Sequence, residues 1–486
     1  MAEARPEDFV NKPNQYDIVT KEERYPPRGK ILNNVLEAVG NTPLIRLNKI
    51  PQSFGVNCEI LAKCEYFNPG GSIKDRIVMR MVNDAVKHGR LQPGGHLIEP
   101  SSGNTGVSLG LVCAVQGFKG TVTVADKNDG DKLTIMNALG LDIVKTPSSV
   151  KFDDPRSYFS VAYEMSKNTP GAITLNQYEC ISNALANYDQ TAEEILEQCD
   201  NKVDAIVMAT GTGGTLTGIA AKIKQKLPSC KIIGVDPMGS IMAQPDSLND
   251  GVYSYKIEGM GHDFLPNTCV RKYVDQWIKT NDKESFAIAR RMISEEGMLT
   301  GGSCGSVVSA AIKYALENKV DKDHRIVVVL PDAVRNYITK FASDDWMVDF
   351  GFYPLEHYEK ADHKLHGKTV KDLKLAPVKT YTKEQLTVQE ALKLLEGGQE
   401  IIIEDKGKVT GVIVERNLLE TFNLRGLNGS DNLTQVNVKP LPTVELSTDL
   451  SIVSKLLERH KVVLVQDKEN NTVHKITPLS LLSVGI

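Results

Sequence analysis

The chain has 486 residues and a mass of 53.4 kDa, enough for about three structural units. Its composition, 41% hydrophobic and 24% charged, is that of an ordinary globular protein. A net charge of −4 gives no electrostatic reason to bind nucleic acid or an anionic membrane, so neither is expected as a partner.

No window reaches the ~20 apolar residues of a membrane span. The opening segment MAEARPEDFVNKPNQYD has no apolar core of the kind a signal peptide carries. The eight cysteines, at 58, 64, 113, 180, 199, 230, 269 and 304, are scattered without a C-x-x-C pair. Free thiols and a cytoplasmic location are therefore expected.

Residues 1–30 are polar and proline-bearing and read as a tail. Over 31–352 short apolar runs alternate with helical periodicity. AIVMA (205–209), KIIGV (231–235) and IVVVL (326–330) suit strands buried on both faces of a parallel sheet. Ile73, Ile77, Val78, Met81, Val82, Ala85 and Val86 form one stripe of a helix. This alternation predicts an α/β catalytic domain. Residues 353–375 are polar and read as a linker. Over 376–486 the chain repeats itself: KLLE recurs at 393–396 and 455–458, and Asp405-Lys406 recurs as Asp467-Lys468. Each copy reads helix, strand, turn, strand, helix. No cysteine follows Cys304, which also marks a separately built domain.

Four segments carry chemistry. In NPGGSIKDR (68–76) a Gly-Gly-Ser turn runs into the striped helix, with Lys74 in its first turn. The positive end of a helix disfavours an ammonium there, and a neutral amine is what Schiff-base chemistry needs. An ordinary solvated lysine is the plain alternative. IEPSSGNTG (98–106) places small polar groups at a helix start, either an anion site or a simple cap. VDAIVMATGTGGTLTGIAAKI (203–223) is strand, glycine-rich loop, helix. It has Leu216 where a dinucleotide loop needs its third glycine, and Ile219 where a Walker loop needs lysine. A single phosphate fits it best, with a plain tight turn as the alternative. EEGMLTGGSCGSVVSAAIKYA (295–315) puts Ser303 and Ser306 at another helix start. Such loops converge at the carboxyl ends of parallel strands. A lysine, a phosphate cradle and several small polar loops together describe a pyridoxal-phosphate site. His357, His363 and His366 match no established ligand spacing, and no metal is expected.

AKCEYFNPGGSIKDR (62–76), EPSSGNTG (99–106), ATGTGGTLTGIA (209–220) and LPDAVRNYITKFASDDWM (330–347) together resemble the eukaryotic cystathionine β-synthase family. KCEYFN and PDAVRNYITKF separate it from plain cysteine synthases. The resemblance implies a two-lobed catalytic domain of pyridoxal-phosphate fold type II, like the tryptophan synthase β chain. It also implies that the repeat is a tandem regulatory (Bateman) module. It assigns Lys74 to hold pyridoxal phosphate and to move the substrate α-proton. Asn104 would meet the ring hydroxyl, Gly211, Thr212, Gly213, Gly214 and Thr215 the phosphate, and Ser303 the ring nitrogen. Ser102, Thr105 and Gln177 would hold the substrate carboxylate, with Tyr178 lining the pocket. Serine would condense with homocysteine, or cysteine would replace serine and release hydrogen sulfide. A homodimer is expected. A cysteine synthase, a serine dehydratase, and a weakly active ligand-sensing paralogue are the rival readings.

The chain also departs from the family pattern. It has no Cys before 58 and no His before 88, and Ala221 stands where haem-binding members carry an arginine, so haem is not expected. Ala125 to Asp129, Glu179, Cys180 and His262 replace family residues on the substrate side. In the repeat, Thr477 is kept. Ser480 stands where S-adenosylmethionine binders have an aspartate, and Asn417 is its counterpart in the first copy.

Overall fold

A computed structural model describes residues 31–486, apart from 127–129, 148–149, 151–153, 361–362, 468, 471 and 486. The tail 1–30 and the departures at 127–129 lie outside the described residues. The chain divides into two compact units, Met1–Ser343 and Asp344–Ile486.

The first unit holds two sheets. Its strands are β1 (Leu44–Arg46), β2 (Glu59–Cys64), β3 (His96–Pro100), β4 (Lys119–Ala125), β5 (Asp142–Thr146), β6 (Ala172–Ile173), β7 (Ala205–Ala209), β8 (Lys231–Pro237), β9 (Gln276–Thr280) and β10 (Arg325–Leu330). Six of them run in the order β1-β2-β10-β7-β8-β9, and four in the order β5-β4-β3-β6. Every pairing is parallel except β1 with β2. The three apolar runs read from the sequence occupy β7, β8 and β10, in the middle of the larger sheet. Their side chains are buried on both faces, which is why they show no alternation.

The striped segment forms the helix Lys74–Lys87. It has no proline or glycine inside and is rich in good helix formers. It leaves the larger sheet after β2 and delivers the chain to β3 of the smaller one. Ile77, Val78, Met81, Val82 and Ala85 pack into the smaller lobe against Leu97, Val107, Val122 and Val124. Each large side chain so buried contributes about 1.5–3 kcal/mol. Val86, last in the stripe, is exposed, because the helix is running out of the lobe by that turn. Among the described residues, no helix is long and apolar enough to cross a membrane.

The second unit has two three-stranded sheets. They are β11 (Thr380–Tyr381), β12 (Ile401–Asp405) and β13 (Lys408–Ile413), then β14 (Thr443–Val444), β15 (Val463–Asp467) and β16 (Thr472–Ile476). In each sheet the first pair is parallel and the second antiparallel. A helix precedes each hairpin, Val388–Glu396 and Leu450–Leu457. The first is opened by a capping box between Thr387 and Glu390, the second by Asp449 accepting from Ser451 N–H. Residues 353–375, expected as a linker, are not one. Tyr358, Leu365, Val370 and Leu373 enter the core of this unit beside Val444, Leu450 and Val463. The unit boundary falls before them, at Ser343 and Asp344, and not at 352.

Candidate active site

The loops that leave β2, β3, β7 and β10 at their carboxyl ends meet in the first unit. The loop after β2 is clamped to the exit of β10: Ile73 N–H donates to Pro331 O at 2.8 Å, and Ala333 N–H to Gly71 O at 3.0 Å. Lys74 follows at once. It lines an open cavity together with Gly211, Thr212, Gly213, Thr215 and Gly259. Burial pulls the Lys74 amine down to about 8, with Asp332 opposing that shift. Lys74 is half-buried, unlike an ordinary solvated lysine.

The helix Gly214–Lys226 begins in the glycine-rich loop after β7. Its first-turn N–H groups have no intrahelical acceptors, so they are free to meet an anion. The glycines are there for space. A Cβ on Gly211 would lie 2.6 Å from Gly259 O, and one on Gly213 2.2 Å from Cβ of Cys269. Gly213 also has φ +84°, where a side chain is strained. The neighbouring loop braces the cradle, with Gly261 N–H donating to Thr210 O at 2.8 Å and Thr268 Oγ1 to Thr212 O at 2.6 Å.

Thr105 and Gln177 come together although 72 residues apart: Thr105 Oγ1 donates to Gln177 Oε1 at 2.7 Å. Asn183 then ties this pair to the cradle. Its Nδ2 donates to Gln177 O at 2.7 Å and to Thr212 Oγ1 at 2.9 Å. Ser102 sits in the turn before Thr105, and Tyr178 is buried against Phe159 and Phe264. The loop carrying Gln177 is held by Glu99, the fourth residue of β3. Its fully buried carboxylate accepts from the N–H groups of Leu175, Asn176 and Gln177 at 3.0–3.1 Å. Asn176 adopts φ +57° to allow this, a conformation asparagine tolerates. Burial pushes the Glu99 carboxyl up to about 7, and the three N–H groups pull it back. Glu99→Gln puts an amide donor where an acceptor is needed. It is expected to raise KM for the amino-acid substrate roughly tenfold and to change kcat less, as steady-state kinetics would show.

Asn104 begins the helix Asn104–Gln116. Its Nδ2 donates to Asp332 Oδ2 at 2.7 Å, and its Oδ1 accepts from Asn336 Nδ2 at 2.8 Å. Ser303 is buried in the first turn of the helix Gly302–Glu317. The sequence pattern singled out neither Glu99 nor Asp332. Glu99 looked like the end of a strand, and Asp332 sat inside a segment used only for resemblance.

The departures on the substrate side are placed as well. His262 stacks its edge on Tyr178, with ring centroids 5.4 Å apart, and lies 4.8 Å from Phe264. Burial holds its ring down to about 4, Asp263 opposing and Lys74 adding to the shift. The imidazole is therefore neutral at pH 7. Glu179 accepts from Asn176 Nδ2 and Asn267 Nδ2, each at 3.2 Å. Cys180 caps the helix Ile181–Ala186 without a side-chain bond. Among the described residues, the one group that could gather a metal, Glu359, His366 and Asp449, belongs to the second unit and is mostly exposed.

Pyridoxal phosphate fits the residues present. The carbonyl of the cofactor needs a neutral amine, and Lys74 is half-buried, which favours one. Its phosphate needs free N–H groups on a close backbone, which the Gly211–Thr215 turn offers. Thr210 Oγ1 is buried beside that turn with no hydrogen-bond partner among the described residues.

The family of pyridoxal-phosphate dependent enzymes matches residues 35–332. The cystathionine beta-synthase of Dictyostelium discoideum is 45% identical over 465 residues, covering 93% of this chain and 92% of that one. The cystathionine beta-synthase of Rattus norvegicus is 43% identical, covering 94% of this chain and 80% of its own. Among solved structures, an O-acetylserine dependent cystathionine beta-synthase from Helicobacter pylori is similar with a TM-score of 0.59 and 29% identity. It covers 64% of this chain and 99% of its own. With the half-buried lysine, the glycine cradle and these likenesses in hand, the chain belongs to the pyridoxal-phosphate dependent enzymes, in the cystathionine β-synthase family.

Proposed function

We propose that the protein condenses L-serine with L-homocysteine to cystathionine and water, and that cysteine in place of serine releases hydrogen sulfide. The observation that carries this is the half-buried Lys74 lining one cavity with the glycine cradle, with the Thr105–Gln177 pair tied to that cradle through Asn183.

Pyridoxal phosphate, when bound, supplies an electron sink for the pair left on the substrate α-carbon. Gly211 to Thr215 would hold its phosphate, Asn104 its ring hydroxyl and Ser303 its ring nitrogen. Ser102, Thr105 and Gln177 hold the substrate carboxylate and so fix which bond at the α-carbon faces the lysine. Lys74 takes the α-proton and returns it at the end, a task suited to an amine near 8. Tyr178, expected to line the pocket, is held in a buried cluster with Phe159 and Phe264. Overall, the serine β-carbon loses its hydroxyl as water and gains the sulfur of homocysteine.

We read the second unit as a tandem regulatory module. Asn417 Oδ1 accepts from Val414 N–H at 3.1 Å, and Ser480 Oγ from Thr477 N–H at 3.1 Å. Both side chains thus cap helices, and neither offers the carboxylate that would grip ribose hydroxyls, which speaks against activation by S-adenosylmethionine.

The test is product analysis by mass spectrometry. Serine with homocysteine is expected to give cystathionine, and the cofactor's visible band is expected to change on adding serine. Pyruvate from serine alone would favour a dehydratase. Cysteine from serine and sulfide, without cystathionine, would favour a cysteine synthase. A band indifferent to serine would favour a ligand sensor.

A further inference from the structure

We propose that Asp332 is a positioning residue of the cofactor site: its buried carboxylate, on a backbone bridged to the lysine loop, fixes which end of the Asn104 amide faces the cofactor. The inference rests on the cofactor reading above and deepens it.

Asp332 is bound to the lysine loop through its backbone. It forms a bridge with Ser72, two residues before Lys74, and its carbonyl accepts from Gly301 N–H at 2.9 Å. Its side chain is 1% exposed. Gly301 leaves room for that carboxylate, since a Cβ there would come within 2.0 Å of Asp332 Oδ1. Oδ2 accepts from Asn104 Nδ2 and from the Tyr337 hydroxyl. Oδ1 is buried with no hydrogen-bond partner among the described residues.

This arrangement decides the amide's orientation. A carboxylate can only accept, so the nitrogen of Asn104 must face it. Asn336 Nδ2 can only donate, so it meets the oxygen. One N–H of Asn104 remains free, and it is a donor. A ring hydroxyl that has lost its proton requires a donor there. The reversed amide would present an oxygen and repel it.

The charged and titratable groups around Asp332 come from several elements. Lys132 Nζ donates to the Tyr337 hydroxyl at 3.1 Å and to Glu258 Oε2 at 2.6 Å. Lys340 also pairs with Glu258. The Cys304 thiol donates to Asp332 O at 3.5 Å, and burial keeps that thiol protonated. Lys74 is the amine whose proton Asp332 favours. Burial raises the Asp332 carboxyl from its ordinary value, and Lys132, Tyr337 and Asn104 pull it back towards the charged form.

The test is Asp332→Asn in the holoenzyme, which changes charge at nearly constant volume. The readouts are the pH midpoint of the cofactor's visible band and the loss of cofactor on dialysis. The midpoint is expected to fall by about one pH unit, since a positive charge loses its counter-charge. Cofactor loss is expected to be faster. A midpoint and retention equal to wild type would overturn the proposal. Asn336→Ala serves where D332N does not fold: it removes the second partner of the Asn104 amide and leaves Asp332 to orient it, so the band is expected to persist with a somewhat faster loss of cofactor, and complete loss of the band would refute the proposal. Absence of any cofactor band in the wild type would instead refute the cofactor reading itself.

Discussion

Replacing Lys74 by alanine is expected to lower kcat/KM roughly ten-thousandfold, because one amine both holds the cofactor and moves the α-proton. The loss should appear mainly in kcat. The cradle of Gly211 to Thr215 is untouched by the change, so phosphate binding is expected to persist while the covalent link disappears. Borohydride reduction followed by peptide mass spectrometry tests this directly. The wild type should carry the cofactor on Lys74, and the K74A protein on no lysine. A variant that still turns over, or a label on another lysine, would refute the assignment.

Replacing Arg76 by methionine is expected to destabilise the first unit by about 3–5 kcal/mol. Arg76 lies two residues past Lys74 and is wholly buried. Its guanidinium forks onto Glu65, at 2.6 and 2.8 Å, and onto Glu194, at 2.7 and 2.8 Å. Lys63, also wholly buried, donates to Glu194 at 2.6 Å and to Gln198 at 3.0 Å. Two cations and two anions thus cancel in a dry site. Against the penalty of burial, Arg76 and Lys63 hold the Glu194 carboxyl below its ordinary range. Removing Arg76 alone strands a negative charge. Its thermal midpoint is expected to drop by about 4–7 °C. Removing Glu65 as well, in R76M/E65L, restores neutrality and leaves the Lys63–Glu194 pair. That double variant is expected to be more stable than R76M. Circular dichroism melts decide it: a double variant less stable than the single one would refute the charge-balance account.

The residues that could be read in advance were those that sit on their own local pattern. Gly-Gly-Ser before a stripe, Ser-Ser-Gly-Asn-Thr after a strand and Gly-Thr-Gly-Gly at a strand end each announce a loop that opens a helix. The partners that hold those loops had no such signature. Glu99 meets a loop 76 to 78 residues away through backbone N–H groups, which every residue possesses. Asp332 meets Asn104 across 228 residues. Lys63 and Glu194 are separated by 131, and singly each looks like a solvated charge. Strand pairing brings such distant groups together: β3 pairs with β6, just before the loop that Glu99 holds, and β2 pairs with β10, just before Asp332. The segment 353–375 was misread for the opposite reason. Its charges are abundant and exposed, while Tyr358, Leu365, Val370 and Leu373 follow neither strand nor helix spacing. Periodicity detects long regular elements, and these four anchors sit in irregular chain or in 3-10 turns of three or four residues.

The helix that starts at Lys74 is a rod shared by the two lobes. Its first turn is bolted to the larger lobe by Arg76, while Ile77 to Ala85 are embedded in the smaller one. Its 14 residues make a rod about 21 Å long. Later turns are tied down as well, Arg80 to Asp189 and Asp84 to Ser182. The rod is thus fixed along its length, and the amine at its start takes its aim from both lobes at once.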